Sequence, residues 1–327
     1  MTDLYPLKFK TIFKDKIWGG EKIKTVLGKD FGNLPNCGET WEISGVKRDI
    51  SEVSEGRHEG KLLTQLIQEY KAELVGDAIY KNYQNEFPLL IKFIDANDDL
   101  SIQVHPDDAL AKQRHNSFGK TEMWYVLHAD EGASLISGFN QTLTKSRYLE
   151  YFESGRLDEI LNREQVVKDD VFFLPAGRVH TIGKGLMIAE IQQTSDITYR
   201  IYDFDREDAK GNKRELHVEE ALDAIDFEHY DEYKTLYSKE SGEAQTLVDG
   251  QYFTTNRHLI AEETTLNYPS NDSFVIYVVI EGEGKLNYGS DAPIDIQGGE
   301  AILLPAIFDQ IRIEANQTIK LLEVTAH

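Results

Sequence analysis

Residues 122–135, EMWYVLHADEGASL, are similar to residues 274–286, FVIYVVIEGEGKL, and this similarity is the strongest indication of the fold in the sequence. Each begins with a run of apolar and aromatic residues, passes through a glycine-containing turn and continues in a second short run. Such runs are typical of β-strands joined by a hairpin. A second match follows downstream, VKDDVFFLPAGRVHTI at 167–182 and IQGGEAILLPAIFDQIRI at 296–313. The chain therefore carries one β-rich pattern twice.

The repeated pattern resembles the two motifs of a cupin, a small jelly-roll β-barrel. We therefore predict a mainly β fold with two cupin barrels and a few helices inserted in and around the first. A catalytic cupin domain is expected at 1–240, with helical insertions at about 61–75, 141–165 and 215–226, where apolar residues recur at helical spacing. Residues 245–327 should form a degenerate C-terminal cupin domain without metal ligands.

Composition limits the possible partners. The 327 residues carry a net charge of -22 and one cysteine, Cys37. A surface this acidic repels phosphate backbones, so we expect neither nucleic acid nor an anionic membrane as a partner. One cysteine cannot form an intrachain disulfide or a cysteine-based zinc site. The absence of a secretory-type start and of a long apolar run favours a cytoplasmic location. The sequence leaves the oligomeric state open.

The stretch LSIQVHPDD at 100–108 contains the candidate site residues. Alternate side chains of a strand share a face, so Ser101, Gln103 and His105 should point the same way. Glu122 opens the strand that follows, and His180 follows the Leu-Pro-Ala turn at 174–176. Imidazole, carboxylate and amide oxygen are suitable ligands for a divalent cation such as zinc.

The repeat itself helps to separate scaffold residues from site residues. Aligning the two Leu-Pro-Ala turns sets His180 opposite Gln310, and aligning Tyr125 with Tyr277 sets Glu122 opposite Phe274. Residues needed only for packing should recur in both halves. The failure of these two to recur favours a functional role for them, although a single histidine in a β protein is more often structural.

The chain is similar to the type I mannose-6-phosphate isomerases, in their shorter bacterial form. The resemblance covers about residues 16–206, and its most specific sequence motif is Leu-Ser-Ile-Gln-Val-His-Pro-Asp at 100–107. The other shared motifs are KIWGG (16–20), GETWEIS (38–44), FPLLIK (87–92), GKTEMW (119–124), LPAGRVH (174–180) and ITYRIYD (197–203).

This resemblance implies reversible isomerisation of mannose 6-phosphate and fructose 6-phosphate by zinc-assisted proton transfer through a cis-enediol. It assigns one Zn²⁺ per chain to Gln103, His105, Glu122 and His180. It places the catalytic arginine at Arg200 and a catalytic lysine at Lys120. Substrate-binding roles are expected for Lys92 and Ser101, and for Trp18 as a wall of the sugar site. The implied partner is a small-molecule sugar phosphate.

Several alternatives stay open from the sequence. The proton carrier could be Lys120, a zinc-bound water or a histidine. A metal-dependent cupin dioxygenase would also use histidine and glutamate ligands, although an amide ligand suits a redox-silent metal better. A non-enzymatic sugar-binding cupin is the third possibility. Asp107 and Asp108 are interpreted as caps of a turn or helix after Pro106, although a pair of carboxylates could also do acid–base work.

Overall fold

The computed structural model describes residues 3–208, 210–240, 242–270, 272–289 and 291–327, and it is built mainly from β-strands. The strands of the first half are β1 Ile12–Lys14, β2 Glu39–Ser44, β3 Leu89–Ala96, β4 Ile102–Val104, β5 Glu122–Ala129, β6 Ser134–Phe139, β7 Leu161–Gln165, β8 Val171–Leu174, β9 His180–Thr181, β10 Leu186–Gln193 and β11 Tyr199–Tyr202. Those of the second half are β12 Gln245–Asp249, β13 Phe253–Ile260, β14 Thr264–Asn267, β15 Val275–Glu281, β16 Glu283–Tyr288, β17 Ile294–Gln297, β18 Ala301–Leu304, β19 Gln310–Ala315 and β20 Ile319–Ala326.

Helices are short and occur in the first half of the chain and in the segment that follows β11. They are α1 Lys22–Thr25, α2 Leu63–Tyr70, α3 Ala72–Val75, α4 Asp77–Tyr83, α5 Asp108–His115, α6 Lys145–Glu153 and α7 Val218–Ala224, with a 3-10 helix at Leu157–Glu159. Among the described residues, no helix is long and apolar enough to cross a membrane.

Two of the predicted helical insertions need correction. The 61–75 segment is divided into α2 and α3, because Lys71 adopts a positive φ of 50° that ends α2. The 141–165 segment is helical only in its first part. Its last residues form strand β7, where Leu161 pairs with Phe139 of β6 and is buried. The third insertion, at 215–226, contains α7 as predicted.

In the described part of the chain the strands form four antiparallel sheets, and the order of strands repeats between the halves. In the first half the larger sheet runs β1-β2-β3-β10-β5-β8 and the smaller β11-β4-β9-β6-β7. In the second half they run β12-β13-β20-β15-β18 and β14-β19-β16-β17. Within the described residues no ladder joins a larger sheet to a smaller one, so each half has two open sheets rather than a continuous barrel wall.

The ladders also correct the alignment of the two halves by one residue. Leu174 and Leu304 begin the two equivalent Leu-Pro-Ala turns. Leu174 pairs with Glu122 and Leu304 pairs with Val275, so the counterpart of Glu122 is Val275 rather than Phe274. The same register sets Trp124 opposite Tyr277 in the comparison of the halves. The structural counterpart of Glu122 is therefore still an apolar residue, and the contrast between the halves holds.

The hydrophobic core lies on both faces of the larger sheet of the first half. One face, with Ile94, Val126 and Ile188, packs towards Leu135 of the smaller sheet and towards Ile182, which directly follows β9. The opposite face packs on the second half, as in the stacked rings of Phe87 and Phe274, whose centroids are 4.8 Å apart. Full burial of such a ring contributes about 1.5–3 kcal/mol, so the two halves share a substantial core. Strand β3 is buried along its whole length because it is covered on both faces.

Candidate metal centre and active site

The smaller sheet of the first half presents a row of polar side chains to its partner sheet. Arg200 of β11 pairs with Gln103 of β4, which pairs with His180 of β9, which in turn pairs with Ser137 of β6. Directly opposed residues in neighbouring strands point to the same face. Four residues that are far apart in sequence therefore project towards the larger sheet.

The larger sheet supplies a second polar row that faces the first. Lys92 of β3 pairs with Glu190 of β10, and Glu190 pairs with Trp124 of β5. Glu122 precedes Trp124 by two residues on the same strand, so it shares that face. The ring of Trp124 lies edge-on to the imidazole of His180, with centroids 5.3 Å apart, which brings the two rows into contact.

Three potential metal ligands converge between these rows. His105 Nε2 lies 3.5 Å from Glu122 Oε2, and His180 Nε2 lies 3.3 Å from Glu122 Oε1. Their ligand atoms are all within 4.8 Å of one another, and all three side chains are buried. This is the set of histidine and carboxylate ligands that zinc and other divalent transition metals use.

Backbone carbonyls orient both imidazoles towards the centre. His105 Nδ1 lies 2.9 Å from the carbonyl oxygen of Ile197, and His180 Nδ1 lies 2.8 Å from that of Arg178. A carbonyl can only accept, so each Nδ1 carries the proton and each Nε2 presents its lone pair. Hydrogen bonds of this kind are the usual second-sphere support of metal-binding histidines.

The electrostatics of the trio also fit a cation. Burial, together with nearby Lys120, lowers the pKa of His105 well below its usual value, and burial lowers that of His180 to about 4. Both imidazoles are therefore neutral at pH 7. Burial and Glu190 raise the pKa of Glu122, against the opposing effect of Lys120. Among the described residues, the Lys120 ammonium lies 3.0 Å from Glu122 Oε2, but Oε1 has no hydrogen-bond donor. Leaving this buried oxygen unsatisfied is costly, and a bound cation would satisfy it.

Gln103 lies beside the trio but is turned away from metal binding. Its Nε2 is 3.3 Å from His180 Nε2, while its Oε1 accepts a hydrogen bond from Ser101 Oγ at 3.3 Å. Rotation of the amide by 180° would present the oxygen to the centre. The structure thus places Gln103 and Ser101 beside the trio, with the Ser101 hydroxyl in contact with the Gln103 amide.

Lys120 lies directly against the ligands. Its Nζ is 3.0 Å from His105 Nε2 and 3.0 Å from Glu122 Oε2, and the side chain is almost fully buried. The lone pair of His105 Nε2 serves one partner at a time. A bound metal would therefore replace the hydrogen bond from Lys120 and leave this ammonium group beside the metal.

Lys92 forms a buried ion pair that the sequence did not predict. Its Nζ is 2.9 Å from Glu190 Oε1, and the two side chains are 7% and 4% exposed. Glu190 Oε2 also accepts a hydrogen bond from Trp124 Nε1 at 2.9 Å. Burial favours the neutral acid, but Lys92 outweighs it and the pKa of Glu190 is lowered. The one available signal was a charged residue inside the apolar run MIAEIQQ.

Glu39 and Trp41 extend this buried group. Glu39 accepts a hydrogen bond from Trp41 Nε1 at 2.8 Å and lies 3.1 Å from Lys16 Nζ. The Lys92 ammonium lies 5.4 Å from the centre of the Trp41 ring. Burial would raise the pKa of Glu39, but Lys16 and Lys92 hold it at about 2. Sequence patterns gave no reason to single out Glu39.

Arg200 belongs to a cluster of guanidinium groups that the sequence revealed only in part. Its Nη1 donates to the carbonyl oxygen of Glu215 at 2.8 Å, and its buried Nε has no hydrogen-bond partner among the described residues. Arg206 and Arg214 both bind the carboxylate of Asp203. Burial and the neighbouring guanidinium groups, that of Arg214 foremost, lower the pKa of Arg200. A local positive cluster therefore exists beside the metal ligands of this acidic protein.

Trp18 is the predicted site residue that the structure does not bring to the ligands. It is buried in the hydrophobic cluster between the sheets, and its carbonyl accepts hydrogen bonds from Asn97 and Asp98. Among the described residues, no hydrogen bond or ring contact joins Trp18 to the metal trio. Packing alone accounts for its position.

Fold and site together define a class of protein: a mainly β chain of two related halves, with a buried two-histidine, one-carboxylate centre in the first. Comparison with known proteins is consistent with this class. Residues 6–144 match the catalytic domain of type I phosphomannose isomerase, and residues 243–323 match the cupin domain of mannose-6-phosphate isomerase. The chain therefore belongs to the type I mannose-6-phosphate isomerase family.

Relatives match over nearly the whole chain. A mannose-6-phosphate isomerase of Bacillus subtilis is 36% identical over 318 residues, which are 94% of this chain and 96% of the relative. One from Streptococcus mutans is 36% identical over 301 residues, 92% of each chain. The crystal structure of a Bacillus subtilis mannose 6-phosphate isomerase matches with a TM-score of 0.86 and 33% identity, covering 98% of this chain and 99% of that one. A Salmonella typhimurium phosphomannose isomerase variant, 17% identical with a TM-score of 0.78 over 98% and 99% of the two chains, shares the fold.

Proposed function

We propose that this chain is a zinc-dependent enzyme that interconverts mannose 6-phosphate and fructose 6-phosphate. The observation that carries the proposal is the buried His105–Glu122–His180 trio, set beside arginine and lysine side chains in a member of the mannose-6-phosphate isomerase family. One Zn²⁺ per chain would be held by these three residues, with Gln103 as a fourth ligand after rotation of its amide.

The metal would supply Lewis-acid stabilisation of the negative charge that develops on the sugar oxygens during isomerisation. The chain's own residues add to this. The guanidinium of Arg200 shares the face of Gln103. Its buried Nε, which has no hydrogen-bond partner among the described residues, would donate to an oxyanion of the substrate. Fixed donors aimed at developing charge are among the strongest contributions to catalysis.

We assign the proton transfer between C2 and C1 to Lys120. Both imidazoles use Nδ1 for a backbone carbonyl and present Nε2 to the metal, so neither has a nitrogen free to move a proton. The Lys120 Nζ is a buried amine in contact with two of the ligands. In its neutral form the Lys120 amine would take the proton from C2, and the resulting ammonium would return it to C1 as the cis-enediol forms and collapses beside it.

The phosphate of the substrate requires positive charge on a protein with a net charge of -22. The guanidinium cluster supplies it: Asp203 pairs with Arg206 and Arg214, and Asp98 lies 3.7 Å from Arg206. Arg200 forms no ion pair among the described residues, so its positive charge is left for the phosphate. Guanidinium groups bind phosphate oxygens in pairs with good geometry. Ser101 and Lys92 remain candidate substrate contacts, whereas Trp18 is best explained as a core residue.

A dioxygenase is the second candidate, and one observation favours it. Two histidines and one carboxylate with an open side are also the ligands of non-heme iron oxygenases. The adjacent guanidinium cluster and the family membership favour the isomerase instead. One equivalent of bound zinc supports the isomerase, whereas bound iron with oxygen consumption would support the alternative.

We further propose that residues 1–240 form the catalytic domain and residues 245–327 a degenerate cupin domain, each derived from a jelly-roll barrel. The shared strand order of the two halves supports this division. In the second half Val275 stands at the position of Glu122, so that half lacks this ligand. We also propose a cytoplasmic location for the protein.

The test is a coupled assay of fructose 6-phosphate formation from mannose 6-phosphate. Protein treated with a chelator should lose turnover, and added zinc should restore it. Unphosphorylated mannose is the matched control substrate, and we expect it to be converted far more slowly because it lacks the group that the guanidinium cluster binds. No turnover by the zinc-loaded protein would contradict the proposal.

A further inference from the structure

Asp108 connects three segments of the molecule through its carboxylate. Its Oδ1 accepts hydrogen bonds from the backbone N–H of Gly119 at 2.8 Å and from Gln193 Nε2 at 3.1 Å. The neighbouring Asp107 is the residue that caps helix α5, since its side chain accepts from the N–H of Leu110. The two adjacent carboxylates therefore have different roles. That of Asp107 binds its own helix, whereas that of Asp108 binds residues distant in sequence.

Gly119 and Gln193 hold the two sides of Lys120. Gln193 Oε1 accepts from the N–H of Thr121 at 2.8 Å, and Gln193 N donates to the Thr121 carbonyl at 3.1 Å. The N–H of Lys120 itself donates to the carbonyl of Pro106 at 3.1 Å. The backbone is thus fixed on both sides of the catalytic lysine, at Gly119 and at Thr121. Strand β5 begins at the next residue, Glu122.

Residue 119 is pressed against the Asp108 segment so closely that only glycine fits. A Cβ atom added to Gly119 would lie 2.6 Å from Asp108 N and 2.7 Å from Asp107 C, both backbone atoms that cannot move aside easily. This close approach allows the hydrogen bond from Gly119 to Asp108. The position of the segment 119–121 therefore depends directly on where Asp108 is held.

The second half of the chain holds Asp108 from the other side. Tyr252, the residue before strand β13, donates its hydroxyl to Asp108 Oδ2 at 2.7 Å. The backbone of Tyr252 is itself fixed, since its carbonyl accepts from the N–H of His327 at 3.0 Å. Burial and Asp108 raise the pKa of Tyr252, so the phenol keeps its proton and acts as the donor.

We propose that Tyr252 is a positioning residue for the reaction, through which the degenerate second half sets the placement of Lys120 and Glu122. The inference rests on the proposed isomerase function and gives the second half a role in it. Tyr252 does not touch the substrate. It acts through Asp108 on the backbone of Gly119 and, through Gln193, on that of Thr121.

The test compares Tyr252→Phe with Tyr237→Phe. Each removes one phenolic hydroxyl that bonds across the fold, but Tyr237 donates to the carbonyl of Asp169 at 2.6 Å, outside the Asp108 network. We expect Tyr252→Phe to lower kcat about tenfold, as is common for the loss of a supporting hydrogen bond behind a catalytic group. KM should stay within about twofold, zinc content should be unchanged, and Tyr237→Phe should keep the wild-type kcat.

A double-variant cycle with Asp108→Ala checks that the effect runs through the carboxylate. In the Asp108→Ala background, Tyr252→Phe should cause no further loss of kcat, because residues acting in one network are not additive. Hydrogen exchange of the Gly119 and Thr121 amides should be faster in Tyr252→Phe than in Tyr237→Phe. A wild-type kcat in Tyr252→Phe would overturn the proposal.

The amide exchange does not depend on activity and separates this proposal from the proposed function. If zinc-loaded wild-type protein showed no turnover, the isomerase assignment would fail while the exchange result still tested the contact. Unchanged exchange of both amides in Tyr252→Phe would overturn the positioning role even if the enzyme were active.

Discussion

Loss of one partner of the buried ion pair between Lys92 and Glu190 should strongly reduce the free energy of unfolding. Both side chains are more than nine-tenths buried, so solvent does little to screen the interaction. Removing one partner of such a pair leaves an uncompensated buried charge and usually costs 3–5 kcal/mol of stability, as a rough range. Glu190→Gln keeps the shape of the side chain and an acceptor for Trp124 Nε1, but it removes the negative charge and the oxygen that accepts from Lys92.

We expect Glu190→Gln to reduce the free energy of unfolding by about 3 kcal/mol, at the low end of that range, because Glu39 still favours the Lys92 ammonium. Lys92→Met should cost a similar amount, since it leaves Glu190 buried near Glu122. The double variant Lys92→Met/Glu190→Gln should recover most of the loss, because it buries no unpaired charge.

Urea unfolding at pH 7, followed by tryptophan fluorescence, measures all four proteins. The coupling free energy between the two substitutions should be about 5 kcal/mol, because each single variant loses about 3 kcal/mol and the double variant only about 1 kcal/mol. Additive effects of the two single substitutions would refute the account of a buried, mutually dependent pair. The stable double variant also allows a kinetic test of Lys92, and we expect its KM for mannose 6-phosphate to rise if zinc content is unchanged.

Two further predictions concern groups that the sequence did not reveal. The pKa of Glu39 is about 2, below the ordinary value of 4.5, so its contribution of about 3 kcal/mol is complete above pH 4.5 and is lost as the pH falls towards 2. Glu39→Gln should therefore be less stable than wild type at pH 7, and the difference should disappear near pH 2. Equal differences at both pH values, measured by urea unfolding, would contradict the assigned pKa. Arg214→Gln should raise KM for mannose 6-phosphate about tenfold, the effect of one charge-assisted hydrogen bond worth about 1.5 kcal/mol, with zinc content unchanged. An unchanged KM in the coupled assay would exclude Arg214 from phosphate binding.

The candidate site divides into residues that sequence could indicate and residues that only the fold could. Gln103 and His105 share a strand face by simple alternation, and Glu122 and His180 stand out because the second half lacks them. These four lie together in the structure. Family resemblance was needed to add Arg200, since nothing in the local pattern shows that β11 pairs with β4.

Four charged residues near the site could not be predicted from the sequence, for a related physical reason. They are Glu39, Glu190, Arg206 and Arg214. Alternation along a strand gives the face of a residue, but its partners depend on strand order and register, which are set by contacts distant in sequence. Lys92 and Glu190 meet because β3 and β10 are neighbours, although 98 residues separate them. The same limit applies to the break at Lys71, which depends on a backbone conformation rather than on hydrophobic spacing.

We propose that His105 holds a catalytic zinc ion and that Arg200 acts on the substrate beside it. Zinc content and turnover of mannose 6-phosphate should be measured on the same samples of wild type, His105→Ala and Arg200→Ala. We predict one zinc per active wild-type chain, loss of both zinc and turnover in His105→Ala, and loss of turnover with retained zinc in Arg200→Ala. Full zinc occupancy in His105→Ala, or undiminished turnover in either variant, would contradict the account.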